Sequence, residues 1–231
     1  MLLADLHLHC KGDALDSIKY SPEELIDHAV LRGYEVLAIT CHDIVIYSSK
    51  LAQYAKHKGI LLIPGAEKTL NGKHILLYNI TNKELVAIKT FEDIAKWKKR
   101  KKNALVIAPH PYYFLPFCLG KLTEQHIKLF DAIEYTHFYT TYFNLNSRAV
   151  ILAKKHLKPL VGSSDTNSLC QFGTTRTLIN SKKSIDAVIT AIKQGKTQVS
   201  SRPLTTIEFI KTAILAMWSF GVLLLSSSSR T

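Results

Sequence analysis

Short apolar runs of this chain end repeatedly in a histidine or a carboxylate. The first run ends in His7 and His9, whose side chains leave the same face of a strand because they are two residues apart. Five later runs lead to His42, Glu67, His110, Glu134 and Asp165. Because the carboxyl ends of parallel strands meet at one edge, we predict that these side chains line the mouth of a parallel barrel and bind metal.

The segments between these runs have the pattern of amphipathic helices. Ser21, Pro22 and Glu24 form a capping box with proline at the first helical position, and the helix is expected to end near Gly33. Further helices are predicted at about residues 48–57, 92–101, 123–129, 145–156 and 184–195. Strands that alternate with helices indicate an α/β fold with a mostly parallel sheet. Asn71–Gly72, a dipeptide favoured in two-residue hairpins, predicts an antiparallel exception.

Length and composition agree with a single barrel. The chain has 231 residues, of which 47% are hydrophobic, and this is enough for one α/β core. The four cysteines have no C-x-x-C spacing, and no signal peptide is recognisable at the N-terminus. We therefore expect reduced thiols and a cytoplasmic location.

The ordered motifs resemble those of the polymerase and histidinol phosphatase (PHP) family of metal-dependent phosphoesterases. They are Asp5-x-His7-x-His9, Thr40-Cys41-His42-Asp43, Pro64-Gly65-Ala66-Glu67, Gly72-Lys73-His74, Ala108-Pro109-His110-Pro111 and Gly162-Ser163-Ser164-Asp165. The resemblance covers about residues 2–204. It implies a distorted (β/α)7 TIM-like barrel at residues 1–204, with a metal cluster at the C-terminal ends of the strands. Residues 205–231 would form an apolar helix and a polar tail.

The resemblance also implies two to three divalent ions and assigns their ligands. The ligands of the first ion, which are also the predicted catalytic residues, are His7, His9, Glu67 and Asp165. Glu67 would bridge to a second ion held with His74 and His110. Imidazole and carboxylate ligands suit manganese, zinc or iron better than magnesium.

The third ion's site is where the chain departs from the family pattern. Its ligands match Asp16, His42 and Asn167, with Asp13 as an alternative to Asp16. Asn167 stands where the family has histidine, and an amide oxygen is a weaker ligand for zinc or manganese. Cys41 replaces the aspartate of the family's T-D-H motif, and its thiolate would compensate only if it faced the cluster. The third ion is therefore expected to be loose or absent.

The chemistry implied is hydrolysis of a phosphate ester by a metal-activated water. Two alternatives stay open. One is a catalytically weakened PHP-like protein that acts as a nucleic-acid-binding module, and the other is an amidohydrolase-type metal hydrolase. Glu134 and His137 are open between a role in the site and an ordinary strand-end position.

Charge bears on the substrate. Thirty Lys and Arg against 18 Asp and Glu give a net charge of +12, and residues 96–102 carry six of the positive charges. This run indicates either a solvated helix face or a path that steers single-stranded nucleic acid. A small anionic phosphate compound fits the overall charge equally well. Lys68 and Arg176 are the candidate phosphate-binding residues.

The C-terminal segment is uncharged and largely apolar from residue 212 to 225. It is shorter than a bilayer span, so we favour a helix packed on the barrel over membrane contact. Nothing in the sequence indicates an oligomeric state.

Overall fold

The predicted alternation of strands and helices is present in the computed structural model, which describes residues 1–169 and 171–214. The strands are β1 (Leu2–Leu8), β2 (Val36–Ile39), β3 (Leu61–Leu70), β4 (Lys73–Tyr78), β5 (Leu105–Ala108), β6 (Ala132–Thr136), β7 (Leu160–Ser163), β8 (Thr175–Ile179) and β9 (Thr197–Ser201). The helices are α1 (Pro22–Val30), α2 (Ser49–His57), α3 (Asn82–Ala87), α4 (Phe91–Arg100), α5 (Leu122–Gln125), α6 (Asn146–Lys155) and α7 (Ile185–Lys193), and residues 206–214 are also helical.

The strands form one barrel-shaped sheet in the order β7-β6-β5-β4-β3-β2-β1-β8-β9. Strands β1, β2 and β3 are parallel, as are β5, β6 and β7. Strand β4 is antiparallel to both of its neighbours, and β8 and β9 form an antiparallel pair beside β1. The predicted distorted α/β barrel is confirmed, with more antiparallel pairing than the sequence indicated.

The hairpin predicted at Asn71–Gly72 joins β3 to β4. Both residues have positive φ, 50° and 72°, as a tight two-residue hairpin turn requires. The register pairs Thr69 with His74, so His74 shares a face of the sheet with Glu67, two residues from Thr69. The turn therefore brings two predicted ligands to the same side of the barrel.

The barrel closes at a seam between β7 and the antiparallel pair β8–β9, where side chains rather than a backbone ladder make the link. The Thr177 hydroxyl accepts a hydrogen bond from the Gly162 amide (2.8 Å) and donates one to the Gly162 carbonyl (2.7 Å). A Cβ at Gly162 would lie 2.8 Å from the Arg176 carbonyl oxygen and from the Val199 side chain. Glycine is therefore required for the strands to approach this closely.

Apolar side chains fill the barrel below its mouth and the space between the sheet and the helices. Leu6, Ile63 and Tyr78 are fully or almost fully buried inside the barrel, and the Tyr78 hydroxyl donates to the Leu6 carbonyl at 2.8 Å. Ile94 and Trp97 bury one face of α4 against the sheet. None of the helices in the described part of the chain combines the length and apolarity needed to traverse a lipid bilayer.

The helix at residues 206–214 lies beside the mouth. The Phe209 ring stacks on Phe138 with 4.5 Å between centroids, and Thr212 is 8% exposed and lines the central cavity. The packed C-terminal helix and the polar tail remain predictions from residue 215 onward, because that part lies outside the described residues.

Candidate metal centre

Glu67 lies at the centre of the mouth with its side chain 1% exposed, and five imidazoles surround its carboxylate. Oε2 faces the Nε2 atoms of His7 (3.1 Å), His9 (3.4 Å) and His42 (3.1 Å). Oε1 faces His74 Nδ1 (3.0 Å) and His110 Nε2 (3.1 Å). One carboxylate thus contacts two sets of histidines, an arrangement suited to a bridge between two ions.

Asp165 completes the first set. One of its carboxylate oxygens lies 3.4 Å from Nε2 of both His7 and His9. The backbone of Asp165 has a φ of 46°, and that of His110 has a φ of 27°. Positive φ is disfavoured for residues other than glycine and recurs at functional sites, and here it turns each side chain at a strand end towards the cluster.

Two buried carboxylates orient three of the histidines by contacting their Nδ1 atoms. Glu134 accepts a hydrogen bond from His7 Nδ1 at 2.8 Å and one from the His110 amide at 2.7 Å. Asp13 lies 2.8 Å from His9 Nδ1 and 3.0 Å from His42 Nδ1. These contacts leave the Nε2 atoms of His7, His9 and His42 facing Glu67, which is how carboxylates orient metal-binding histidines. The sequence left the role of Glu134 open.

The side of the cluster expected to hold a third ion is less complete. Asp13, Asp16, His9 and His42 form one group whose ligand atoms lie within 4.8 Å of one another. Asn167 lines the cavity, and its backbone N–H donates to Gln171 Oε1 at 2.9 Å. Strand β7 ends at Ser163, so Asn167 does not extend a strand face towards the ions.

Cys41 does not face the cluster. Its sulfur is buried 3.7 Å from the sulfur of Cys10, and it belongs to no group of potential ligands among the described residues. A thiolate at Cys41 therefore cannot replace the missing histidine at position 167.

The donor set fits divalent metal ions. Three further groups of ligand atoms lie within 4.8 Å of one another: His7, His110 and Asp165; His7, His9 and Glu67; and His42, Glu67 and His74. Nε2 of His9 is buried without a hydrogen-bond partner in the described chain, although it points at Glu67 and Asp165. Burial alone would raise the pKa of Glu67, but the surrounding histidines hold it well below its usual range. Ionised carboxylates and imidazole nitrogens are thus gathered where water is scarce.

The two predicted phosphate-binding residues are not part of this centre. The Lys68 amine lies 2.6 Å from the Asp43 carboxylate, and Arg176 Nε donates to the Ser200 hydroxyl at 3.4 Å. Neither side chain lines the cavity that opens over the metal ligands. Phosphate binding by these two residues stays a prediction, and the positions of their side chains do not favour it.

The cavity has neutral walls opposite the ligands. Its apolar and aromatic side chains are Leu15, Tyr113, Leu115, Phe117 and Phe138. Among the described residues, no lysine or arginine lines it. Three cations of the basic segment 96–102 are paired with acids elsewhere, Lys96 with Glu92, Lys98 with Asp131 and Lys101 with Glu84.

A barrel that carries clustered histidines and carboxylates at the C-terminal ends of its strands is typical of metal-dependent hydrolases. No family model matches the chain. A 143-residue segment is 30% identical to a protein of Methanocaldococcus jannaschii and covers 56% of this chain and 81% of that relative. A 67-residue segment, 29% of this chain, is 40% identical to an error-prone DNA polymerase of Nocardia farcinica but spans 6% of that enzyme.

Solved structures with the same fold are less similar in sequence. A two-domain protein from Bacteroides vulgatus, described as containing a predicted PHP-like metal-dependent phosphoesterase, superposes with a TM-score of 0.65 at 17% identity, over 87% of this chain and 65% of that chain. Endonuclease Q of Pyrococcus furiosus gives a TM-score of 0.59 at 17% identity, over 86% and 57%. The chain therefore has the fold of PHP-like metal-dependent phosphoesterases.

Proposed function

We propose that this protein hydrolyses phosphate esters with the help of two divalent ions, and a third where the weaker site fills. The observation that carries the proposal is the Glu67 carboxylate, with three imidazoles on one oxygen and two on the other. His7, His9, Glu67 and Asp165 would hold one ion, and Glu67, His74 and His110 the other. Asp16, His42 and Asn167 remain the proposed ligands of the third.

Bound manganese, zinc or iron would supply an activated water and neutralise charge on the phosphoryl group. The protein's own residues fix the donors for this task. Glu134 and Asp13 hold the Nδ1 atoms of His7, His9 and His42, so the opposite nitrogens stay directed at Glu67. The apolar walls of the cavity restrict water around the ester. Among the described residues that line the cavity no serine or cysteine is present, which supports water as the nucleophile.

The walls of the cavity favour a small phosphate ester over a nucleic acid strand. A strand needs cations along its backbone, whereas the described lining has none and three of the six cations of the basic segment are paired with acids. The likeness to endonuclease Q, one structure of which contains duplex DNA with an abasic lesion, supports nucleic acid as the second candidate substrate. The free thiols of Cys10, Cys41 and Cys118 support the proposed cytoplasmic location.

Metal content and turnover test the proposal together. Purified protein reconstituted with Mn²⁺ or Zn²⁺ should bind at least two ions and release phosphate from 4-nitrophenyl phosphate. His7→Ala combined with His9→Ala should abolish turnover and remove the rise in melting temperature caused by metal. His57→Ala, an exposed histidine on α2, is the matched control and should behave as wild type. Fewer than one ion per folded chain would refute the proposal.

A further inference from the structure

One wall of the cavity carries buried polar groups that have no hydrogen-bond partner among the described residues. His137 is 3% exposed, and neither of its ring nitrogens has a hydrogen-bond partner among the described residues. Tyr113 is 8% exposed, and its hydroxyl is likewise buried without a partner. Both side chains line the cavity over the metal ligands. Unpaired buried polar groups destabilise a fold, so two of them on one wall point to a bound molecule as their partner.

His137 is not placed to bind an ion. It belongs to none of the groups of three or more potential ligands, whereas His7, His9, His42, His74 and His110 all do. Burial lowers the pKa of His137 to about 4, so its ring is neutral near pH 7 and offers one donor and one acceptor. The hydroxyl of Tyr113 offers the same combination, and burial raises its pKa.

The partner that fits this wall is a neutral hydroxyl group. A hydroxyl both donates and accepts, as His137 and Tyr113 do, whereas a second phosphate group would call for lysine or arginine. No such cation lines the described cavity. Phe138, whose ring centroid is 5.9 Å from that of Tyr113, and Phe117 add apolar surface for the carbon skeleton of the same molecule.

We propose that His137 and Tyr113 recognise hydroxyl groups on the leaving alcohol, so that the preferred substrate is the single phosphate ester of a polyol or sugar. This inference rests on the proposed phosphoesterase function. It adds two specificity-determining residues to the centre, and neither is a proposed metal ligand.

The test compares two esters that differ only in hydroxyl groups, glycerol 1-phosphate and propyl phosphate. Wild-type protein loaded with Mn²⁺ should have the higher kcat/KM for glycerol 1-phosphate. His137→Phe and Tyr113→Phe should each lower that value about tenfold, the effect of losing one ordinary hydrogen bond, and change the value for propyl phosphate less than about twofold. Tyr142→Phe, at a side chain that is 99% exposed, is the matched control and should change neither value.

Several results would overturn the inference. Equal losses on both esters would mean that the two residues only support the fold, and melting temperatures and the milder variant His137→Asn would check this. Loss of an ion in His137→Phe would make His137 a metal ligand. Equal wild-type kcat/KM values for propyl phosphate and glycerol 1-phosphate would refute the hydroxyl preference and leave the proposed function intact. Failure of wild type on both esters and on 4-nitrophenyl phosphate would refute both proposals.

Discussion

The ligands carried by strands and those carried by the loop after β1 are held in different ways. His7, Glu67 and His74 are positioned by backbone pairing in β1, β3 and β4. The loop instead depends on Asp13, whose carboxylate accepts hydrogen bonds from the backbone amides of Leu15, Asp16 and His42. The barrel therefore positions most proposed ligands of the first two ions, while the proposed third site depends mainly on the Asp13 side chain. Substitution of a ligand carried by a strand should therefore abolish metal binding and turnover. Substitution of an aspartate in the loop after β1 should only reduce them.

The largest effect should come from Glu67→Gln on the strand side. This change removes the negative charge that faces five imidazoles. It also replaces one of the two carboxylate oxygens proposed to bridge the ions. We expect turnover to fall about a thousandfold or more, equivalent to roughly 4 kcal/mol of lost transition-state stabilisation. Metal stoichiometry by mass spectrometry and steady-state kinetics would measure it. Retention of two tightly bound ions would contradict the bridging role of Glu67.

Asp13→Asn and Asp16→Asn should separate the two alternatives on the loop side. Asp13 orients both His9 and His42 and holds the loop backbone, so its loss should lower metal affinity or activity roughly 10- to 100-fold. Asp16 lies 3.7 Å from His42 Nδ1 and is a proposed ligand of the third ion only, so its loss should change activity less than about tenfold. Metal titrations of both variants would give the order. The reverse order would make Asp16 the principal carboxylate of the loop.

Asn167→His should have a smaller effect in the opposite direction. An imidazole restores the ligand type that the family pattern places here, and Asn167 already lines the cavity. We expect tighter binding of the weakest ion and a kcat up to about tenfold higher, equivalent to roughly 1.4 kcal/mol. Turnover followed during manganese titration would measure both. Because β7 ends at Ser163 and the backbone of Asn167 is tied to Gln171, an unchanged variant would show that the loop holds position 167 out of reach.

The smallest effect on activity should come from substitution of Glu84, a carboxylate outside the mouth of the barrel. Burial alone would raise the pKa of Glu84, but hydrogen bonds from Lys101, Thr81 and Trp97 outweigh it and lower the pKa to about 2. Glu84→Gln should therefore destabilise the protein by roughly 1 to 2 kcal/mol at neutral pH without changing kcat.

The pH dependence follows from the sign of that shift. The stabilisation by Glu84 is fully present above the unfolded-state pKa of 4.5 and is lost as the pH falls towards about 2. Wild type and variant should thus converge in urea denaturation curves at acid pH. A stability difference that persists unchanged at pH 2 would contradict this account.

Much of the fold was predictable because local rules decide it. Capping residues marked α1, and the predicted helices near α2, α4, α6 and α7 agree with the structure to within about two residues. The helix predicted at 123–129 was too long. Its N-terminus lacks a side-chain cap, and the chain leaves the helix at His126, whose ring stacks on Phe91.

The antiparallel pairing of β8 with β9 was not predicted. Strand β9 has the sequence Thr-Gln-Val-Ser-Ser and only one apolar residue, so it lacks the continuous apolar pattern of the other strands. The helix α7 between the two strands also suggests a parallel crossover by the usual rule. Only the packing of the completed sheet determines that the chain returns antiparallel.

The convergence of the predicted ligands followed from the strand ends, but the contacts of the residues around them did not. Lys68 follows Glu67 directly, and alternation along a strand places its side chain on the other face, where it meets Asp43. The same rule places Arg176 on the face opposite Thr177, which points at β7. Glu134 was recognisable as a strand-end carboxylate, but its contact with His7 joins residues 127 positions apart.

Because the sheet is not closed by a ladder at the seam beside Gly162, a filled metal centre would also help to hold the barrel closed. His7 belongs to β1, which pairs with β8, and Asp165 follows β7, so an ion bound by both would link the two sides of the seam between β7 and the β8–β9 pair, which no continuous ladder joins in the described chain. Loading the centre should slow amide hydrogen exchange in β7 and β8 more than in β2 and β3. Catalysis and the resistance of the barrel to opening would then depend on the same few atoms.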